Sequence, residues 1–155
     1  MAGQGMSVDL KRDAPLAFVA GFFAVLIFHQ LTLLILWQAG LAPFQPFSMA
    51  ATKPFGVPVL FSLAFWGGIW GIFFVPVVGR IEGRVGYLVA AFLFGAVLPS
   101  AVALMVVLPL KGQPMGGGWQ MSRLVTAFLI NGAWGLGTGL IHRALSSRFG
   151  GPRKA

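Results

Sequence analysis

Four long apolar stretches, free of ionised acids and bases, constrain this chain more than any other feature. They cover residues 14–37, 57–78, 87–110 and 124–142, and none of them contains Asp, Glu, Lys or Arg. A helix needs about 20 residues to cross a hydrocarbon core of about 30 Å. The sequence therefore predicts an all-α membrane protein with four transmembrane helices.

The overall composition leaves no room for a soluble domain. Of the 155 residues, 57% are hydrophobic and only 9% are charged, whereas a soluble domain carries about 25% charged residues. We therefore predict a single four-helix transmembrane domain over residues 1–155. The first stretch exceeds the about 7–15 apolar residues of a signal peptide, so we expect it to be retained as a helix.

The basic residues are divided unequally between the two sides of such a bundle. Eight of the eleven basic residues lie before the first stretch, between the second and the third, or after the fourth. The other three, Lys53, Lys111 and Arg123, lie in the two remaining connections. The positive-inside rule then predicts two antiparallel hairpins with both termini in the cytoplasm. Basic residues at span ends do not indicate a nucleic-acid partner. These basic residues are interpreted as topological signals, and contact of the basic C-terminal tail with anionic lipid headgroups is the alternative.

Small residues recur at four-residue spacing along the predicted helices. Gly67 and Gly71 form a GxxxG motif in the second stretch, Gly95 lies in the third, and Gly135 and Gly139 share a stripe of the fourth. Such stripes allow close helix packing in membranes. Because four short helices would hardly use every stripe internally, we expect some to bind other copies of the chain or other membrane subunits.

Short motifs recur in the same order in both halves of the chain. AFVAG at 17–21 is followed by AFLFG at 91–95, and GIWG at 68–71 by GAWG at 132–135; Gln-Pro occurs at 45–46 and again at 113–114. Two parallel hairpins related by an axis along the membrane normal occur in some transporters. Duplication of a hairpin is thus one hypothesis, and chance similarity between apolar segments is the other.

Three polar residues within the stretches are the candidates for a site. His29 and Gln30 lie past the middle of the first stretch, and Asn131 lies at a compatible depth in the fourth. Polar residues at such depth usually face the bundle interior. His29 is interpreted as a packing residue that shares hydrogen bonds with Asn131 or a backbone carbonyl. The alternative is a proton relay or ligand contact.

Haem or quinone binding at His29 is a third, weaker hypothesis. Histidines on membrane helices are familiar axial ligands. The other histidine, His142, should lie on the order of 20 Å from His29 along the membrane normal. One chain would therefore not bring both rings to one iron, and we expect no cofactor.

Catalytic chemistry has few candidate residues. The acidic residues are Asp9, Asp13 and Glu82, all at the margins of the stretches, and the chain contains no cysteine. No carboxylate pair or His–Asp relay can form within the membrane. We therefore expect neither an enzyme nor a metal site.

Helix ends and connections are also predictable. Asp13, followed by Pro15, is typical of a helix start, and His142 with Arg143 is interpreted as the end of the last helix. The connection 39–56 carries phenylalanines between prolines, so we expect it to lie among headgroups or fold over the bundle mouth. The glycine-rich connection 111–120 is expected to be flexible, with Trp119 as an interface anchor.

The second half of the chain resembles YagU-like small bacterial inner-membrane proteins. The resemblance rests on a small-residue helix running into LPLKG at 108–112, on Pro114, and on a tryptophan in the last stretch. It covers about a third of the chain, residues 95–140. It implies the architecture and a bacterial inner membrane, and nothing catalytic.

Two functions follow as hypotheses. The leading one is a non-enzymatic accessory or structural component of a membrane assembly. The alternative is a small transporter or channel with a polar site around His29, Gln30 and Asn131.

Overall fold

The computed structural model describes residues 10–149, with side chains from residue 13 onward. It contains four long helices. Helix α1 runs through Leu10–Ala24, a π-helical turn Val25–His29, and Gln30–Gln38. Helix α2 is Val59–Val78. Helix α3 runs through Arg84–Val102, a π-helical turn Ala103–Val107, and Leu108–Leu110. Helix α4 is Met121–Phe149.

Each of these helices is long and apolar enough to cross a membrane. The described residues contain no β-strand, only an isolated bridge between Ala51 and Pro58. The predicted all-helical class, with four candidate spans, is therefore confirmed. The end of the bundle that carries the connections 39–58 and 111–120 is called the loop end below.

Two predicted helix boundaries are wrong. Helix α1 already includes Leu10, so Asp13 lies inside the helix and does not cap it. Helix α4 continues past His142 to Phe149, with Arg148 in its last turn. In both cases a polar residue near the helix end interacts with another helix, which the sequence alone did not reveal.

Helices α1 and α2 touch through their backbones. A Cβ atom built on Gly21 would overlap the carbonyl oxygen of Gly67 and lie 3.1 Å from the Cα of Gly71. A Cβ on Gly71 would overlap the carbonyl oxygen of Ala17. This approach requires residues without bulky side chains on both helices, and van der Waals packing of this kind is the main force that joins helices in lipid.

Helices α3 and α4 make the same contact with the corresponding motif residues. A Cβ on Gly95 would overlap the carbonyl oxygen of Asn131 and lie 3.0 Å from the Cα of Gly135; a Cβ on Gly135 would overlap the carbonyl oxygen of Ala91. Beside these contacts, the Phe92 ring covers Gly132. In the first pair, the Phe18 ring covers Gly68 in the same way. The motifs that repeat in the sequence therefore make repeated contacts.

The two helix pairs meet mainly through α1 and α4. A Cβ on Gly137 would overlap the Phe28 ring. Helices α2 and α3 touch over a shorter stretch, through ring pairs such as Phe74 with Phe94, whose centroids are 5.4 Å apart. Around the bundle the helices therefore follow the cyclic order α2, α1, α4, α3, and the contact between α2 and α3 is the shortest.

The expectation that four helices would not use every glycine stripe within the bundle is wrong. Gly67, Gly71, Gly95, Gly135 and Gly139 all lie against atoms of the same chain. Gly139, for example, lies beneath the Tyr87 ring. The bundle uses all five glycines internally, so a partner chain would have to bind another surface.

Adding a methyl group at the matched glycines should destabilise the bundle. We expect Gly21→Ala and Gly95→Ala each to lower the free energy of unfolding by about 1–3 kcal/mol, the usual cost of overpacking. Thermal unfolding in detergent measures this effect. Gly86→Ala is the control, because its Cβ would find only Ile81 Cγ2, at 3.6 Å. Equal melting temperatures for all three variants would contradict the packing.

Candidate functional site

His29 and Gln30 lie together at the end of the π-helical turn of α1. His29 is 6% exposed and Gln30 is 1% exposed. Gln30 Nε2 lies 3.4 Å from His29 Nδ1, and it donates a long hydrogen bond to this ring nitrogen in the tautomer that carries its hydrogen on Nε2. The adjacent turn Val25–His29 widens the helix by one residue per turn. Such π-turns occur frequently at functional sites.

The buried Gln30 side chain fixes the first connection. Its Oε1 atom accepts a hydrogen bond from the backbone N–H of Phe47, 2.7 Å away. Phe47 has a φ of 50°, a left-handed conformation that is uncommon for a non-glycine residue. The connection therefore folds back onto the loop end of α1.

The rest of this connection forms a short hydrogen-bonded hairpin. The Thr52 backbone N–H and side-chain hydroxyl both donate to the carbonyl of Val57, at 2.9 and 2.7 Å. The Val59 N–H donates to the carbonyl of Ala50 at 2.9 Å. These bonds give residues 50–59 a defined shape despite their prolines.

Asn131 belongs to a different contact. Its Nδ2 atom donates to Ser100 Oγ at 3.0 Å, and Ser100 Oγ donates to the carbonyl of Ala127 at 3.1 Å. This chain of bonds joins α3 to α4 beside Pro99. Asn131 therefore bonds to Ser100 and not to His29. The three predicted site residues form two separate groups, His29 with Gln30 and Asn131 with Ser100.

Sequence reasoning missed the most central polar contact. Trp134 Nε1 donates to the carbonyl oxygen of Gly21 across 3.0 Å, and the tryptophan is only 2% exposed. The indole reaches this carbonyl beside Gly67, where a Cβ would lie 3.1 Å from Nε1. The repeated GxWG motif was the available signal. One turn further along α4, the buried Thr138 hydroxyl has no hydrogen-bond partner among the described residues.

A second polar cluster lies at the end opposite the loop end. The Tyr87 hydroxyl donates to the carbonyl of Gly139 at 3.1 Å, and the Arg143 guanidinium carbon lies 3.4 Å from the centre of the Tyr87 ring. Asp13, 9% exposed, is close enough to His142 for their charges to interact. Helices α1, α3 and α4 thus share polar contacts here, which explains why these residues do not mark simple helix ends.

The two histidines occupy different parts of the bundle. His142 approaches Asp13, and His29 lies 16 residues further along α1, about 24 Å at helical rise. Within the part of the chain that the structure describes, no three His, Asp or Glu side chains form a group that could hold a metal ion.

The cavities lie beside the loop end and away from the predicted residues. One, of about 240 Å³, is lined mostly by apolar side chains: Leu36, Leu41, Met121, Ser122, Val125, Thr126 and Leu129. Another, of about 500 Å³, lies between the two connections. Neither is lined by His29, Gln30 or Asn131. The geometry therefore gives these three residues hydrogen-bonding contacts within the protein.

Removal of the Gln30 acceptor should loosen the first connection. We expect Gln30→Met to speed hydrogen exchange at the Phe47 amide about fivefold, since a hydrogen bond contributes about 1 kcal/mol. Exchange measured by mass spectrometry on peptides covering 39–58 reports this change. Gln38→Met, at an exposed position on the same helix, is the control. An unchanged rate at Phe47 in Gln30→Met would show that the bond does not hold the connection.

Loss of the indole N–H should weaken the contact between the two helix pairs. Trp134→Phe is expected to cost about 1–3 kcal/mol, because it leaves the Gly21 carbonyl without this donor and reduces buried contact. Trp70→Phe changes the corresponding residue of the first GxWG motif, which packs edge-on against Phe94. Unfolding curves that shift equally for the two variants would contradict a special role for Trp134.

Comparison of the chain with models of protein families, with curated proteins and with solved structures finds no match. Its function is therefore inferred from the contacts of its own residues.

Proposed function

We propose that this chain is a non-enzymatic accessory or structural component of a membrane assembly in the bacterial inner membrane. The single observation that carries the proposal is the outward-facing Trp66 of α2. Its side chain is 58% exposed, and it lies seven residues, about 10 Å, into the helix. Its indole N–H makes no hydrogen bond within the described part of the chain.

An unpaired N–H at this depth favours a protein partner over lipid. Hydrocarbon offers no acceptor, and a buried polar group without a partner costs free energy. Tryptophan in membranes is usually placed at the interface, where water or headgroups accept its hydrogen bond. A neighbouring subunit can supply the acceptor, as Gly21 does for Trp134 within this chain.

The same face of α2 offers further aromatic surface. Phe65 packs edge-on against Trp66 with ring centroids 5.7 Å apart, and Phe65 and Phe73 are 49% and 59% exposed. Aromatic side chains supply much of the binding energy in protein interfaces. Because the glycines are used internally, this aromatic face replaces the glycine stripes as the proposed contact, either with another copy or with another membrane subunit.

The orientation is part of the proposal. The helices would insert as two antiparallel hairpins with both termini in the cytoplasm, because the described basic residues Arg80, Arg84, Arg143 and Arg148 lie opposite the loop end. The basic C-terminal tail, outside the described residues beyond Phe149, would add contacts to anionic headgroups.

The alternative function is a small transporter or channel, and the contacts of His29 support it. The ring is buried, yet its side-chain hydrogen bond among the described residues is the long one from Gln30 Nε2 to Nδ1. Because Nδ1 accepts from Gln30, the Nε2–H of the neutral ring is left to donate to a ligand. Gln30 and Asn131, in contrast, already bond to Phe47 and Ser100, and a ligand would have to replace those bonds.

Native mass spectrometry of the gently solubilised protein tests the proposal. We expect a homo-oligomer or a complex with another membrane subunit, and Trp66→Leu should weaken it about 30-fold, as loss of an interface hot spot of about 2 kcal/mol would. Trp37→Leu, at the exposed end of α1, is the matched control, and His29→Asn should leave the complex intact.

A different pattern would favour the transporter. A monomer at every concentration would contradict the assembly proposal. If His29→Asn then abolished uptake into proteoliposomes without lowering the melting temperature, the polar site would carry the function.

A further inference from the structure

The two connections at the loop end form a cavity that brings two lysines together. Its volume is about 500 Å³. Thr52, Lys53 and Pro54 line it from the first connection, and Leu110 and Lys111 line it from the end of α3. The two lysines are 58 positions apart in the sequence, so only the fold places them in one cavity.

Hydrogen bonds hold the backbone at Lys111 and at Thr52, the residue before Lys53. Lys53 follows Thr52, whose N–H and hydroxyl both bond to the Val57 carbonyl. The Lys111 N–H donates to the carbonyls of Val107 and Leu108, each at 3.1 Å. Both side chains thus start from ordered positions, which lowers the entropy that a shared ligand would have to overcome.

Among the described residues, no carboxylate lies in either connection beside these two charges. The three acidic residues, Asp9, Asp13 and Glu82, lie outside both connections. Arg123, in the first turn of α4, donates to Gln120 Oε1 at 3.1 Å and lies 5.7 Å from the Phe44 ring centre. Two ammonium groups on one cavity repel each other unless an anion from outside the chain lies between them.

We propose that this cavity binds a phosphate group, carried by an anionic phospholipid. Lys111 directly follows the apolar part of α3, which places its ammonium group at headgroup level. Leu110 is 82% exposed beside it, so it offers apolar surface to the acyl chains of the same lipid. Lysine binds phosphate as a point charge through charge-assisted hydrogen bonds. The site is separate from the proposed aromatic interface on α2.

Lipid titration followed by native mass spectrometry tests this site. Phosphatidylglycerol should bind more tightly than zwitterionic phosphatidylcholine. Lys53→Gln combined with Lys111→Gln should weaken phosphatidylglycerol binding about 30-fold, the factor for about 1 kcal/mol at each of two lysines. Replacement of both lysines by arginine should retain the binding, since the charge is kept.

Arg80→Gln combined with Arg84→Gln is the matched control, because it removes the same charge from the opposite end. Unchanged lipid binding in this control supports a defined site. An equal loss in both double variants, or no loss in either, would overturn the proposal.

Excess inorganic phosphate distinguishes the source of the anion. If free phosphate does not displace the lipid, the acyl chains contribute to binding as proposed. If free phosphate displaces it fully and binds alone with the same dependence on both lysines, the cavity takes phosphate but the lipid assignment is overturned.

Discussion

The bundle depends on one close approach, at which Trp134 of α4 reaches the carbonyl of Gly21 beside Gly67. Gly21 and Gly67 already bring α1 and α2 into backbone contact, and the absence of side chains leaves the carbonyl accessible to the indole. Helix association in lipid gains little from the hydrophobic effect and relies on packing and hydrogen bonds. This site supplies both, and it is where α1, α2 and α4 meet.

The polar residues within the membrane mostly serve this architecture. Gln30 fixes the first connection, and Asn131 with Ser100 joins α3 to α4. With the interior committed to the protein's own contacts, the surfaces left for other molecules are the aromatic face of α2 and the lysine cavity at the loop end. These surfaces carry the two proposals, assembly with a partner and recognition of a phosphate group.

The sequence predicted the helices well because length and hydropathy decide membrane spans. The sequence also located the repeated small-residue motifs. It wrongly predicted that some of these stripes bind other chains, because the spacing of glycines along one helix does not show which helix they face. The pairing of His29 with Asn131 rested on similar depth, yet Ser100 on α3 was nearer to the amide. Charge interactions such as that of Asp13 with His142 depend on which helices are neighbours, which charge and periodicity do not encode.

Disulfide trapping tests the contact between α1 and α4 directly, because the chain has no cysteine of its own. A Cβ built on Gly137 lies 3.0 Å from the Cβ of Phe28, close to the separation of about 3.5–4.5 Å in a disulfide. Phe28→Cys with Gly137→Cys should therefore cross-link on oxidation. Val102→Cys with Phe73→Cys, the corresponding positions of α3 and α2, which face outward, should not. No cross-link in the first pair, or equal cross-linking in both, would contradict the helix order and the contact on which the bundle depends.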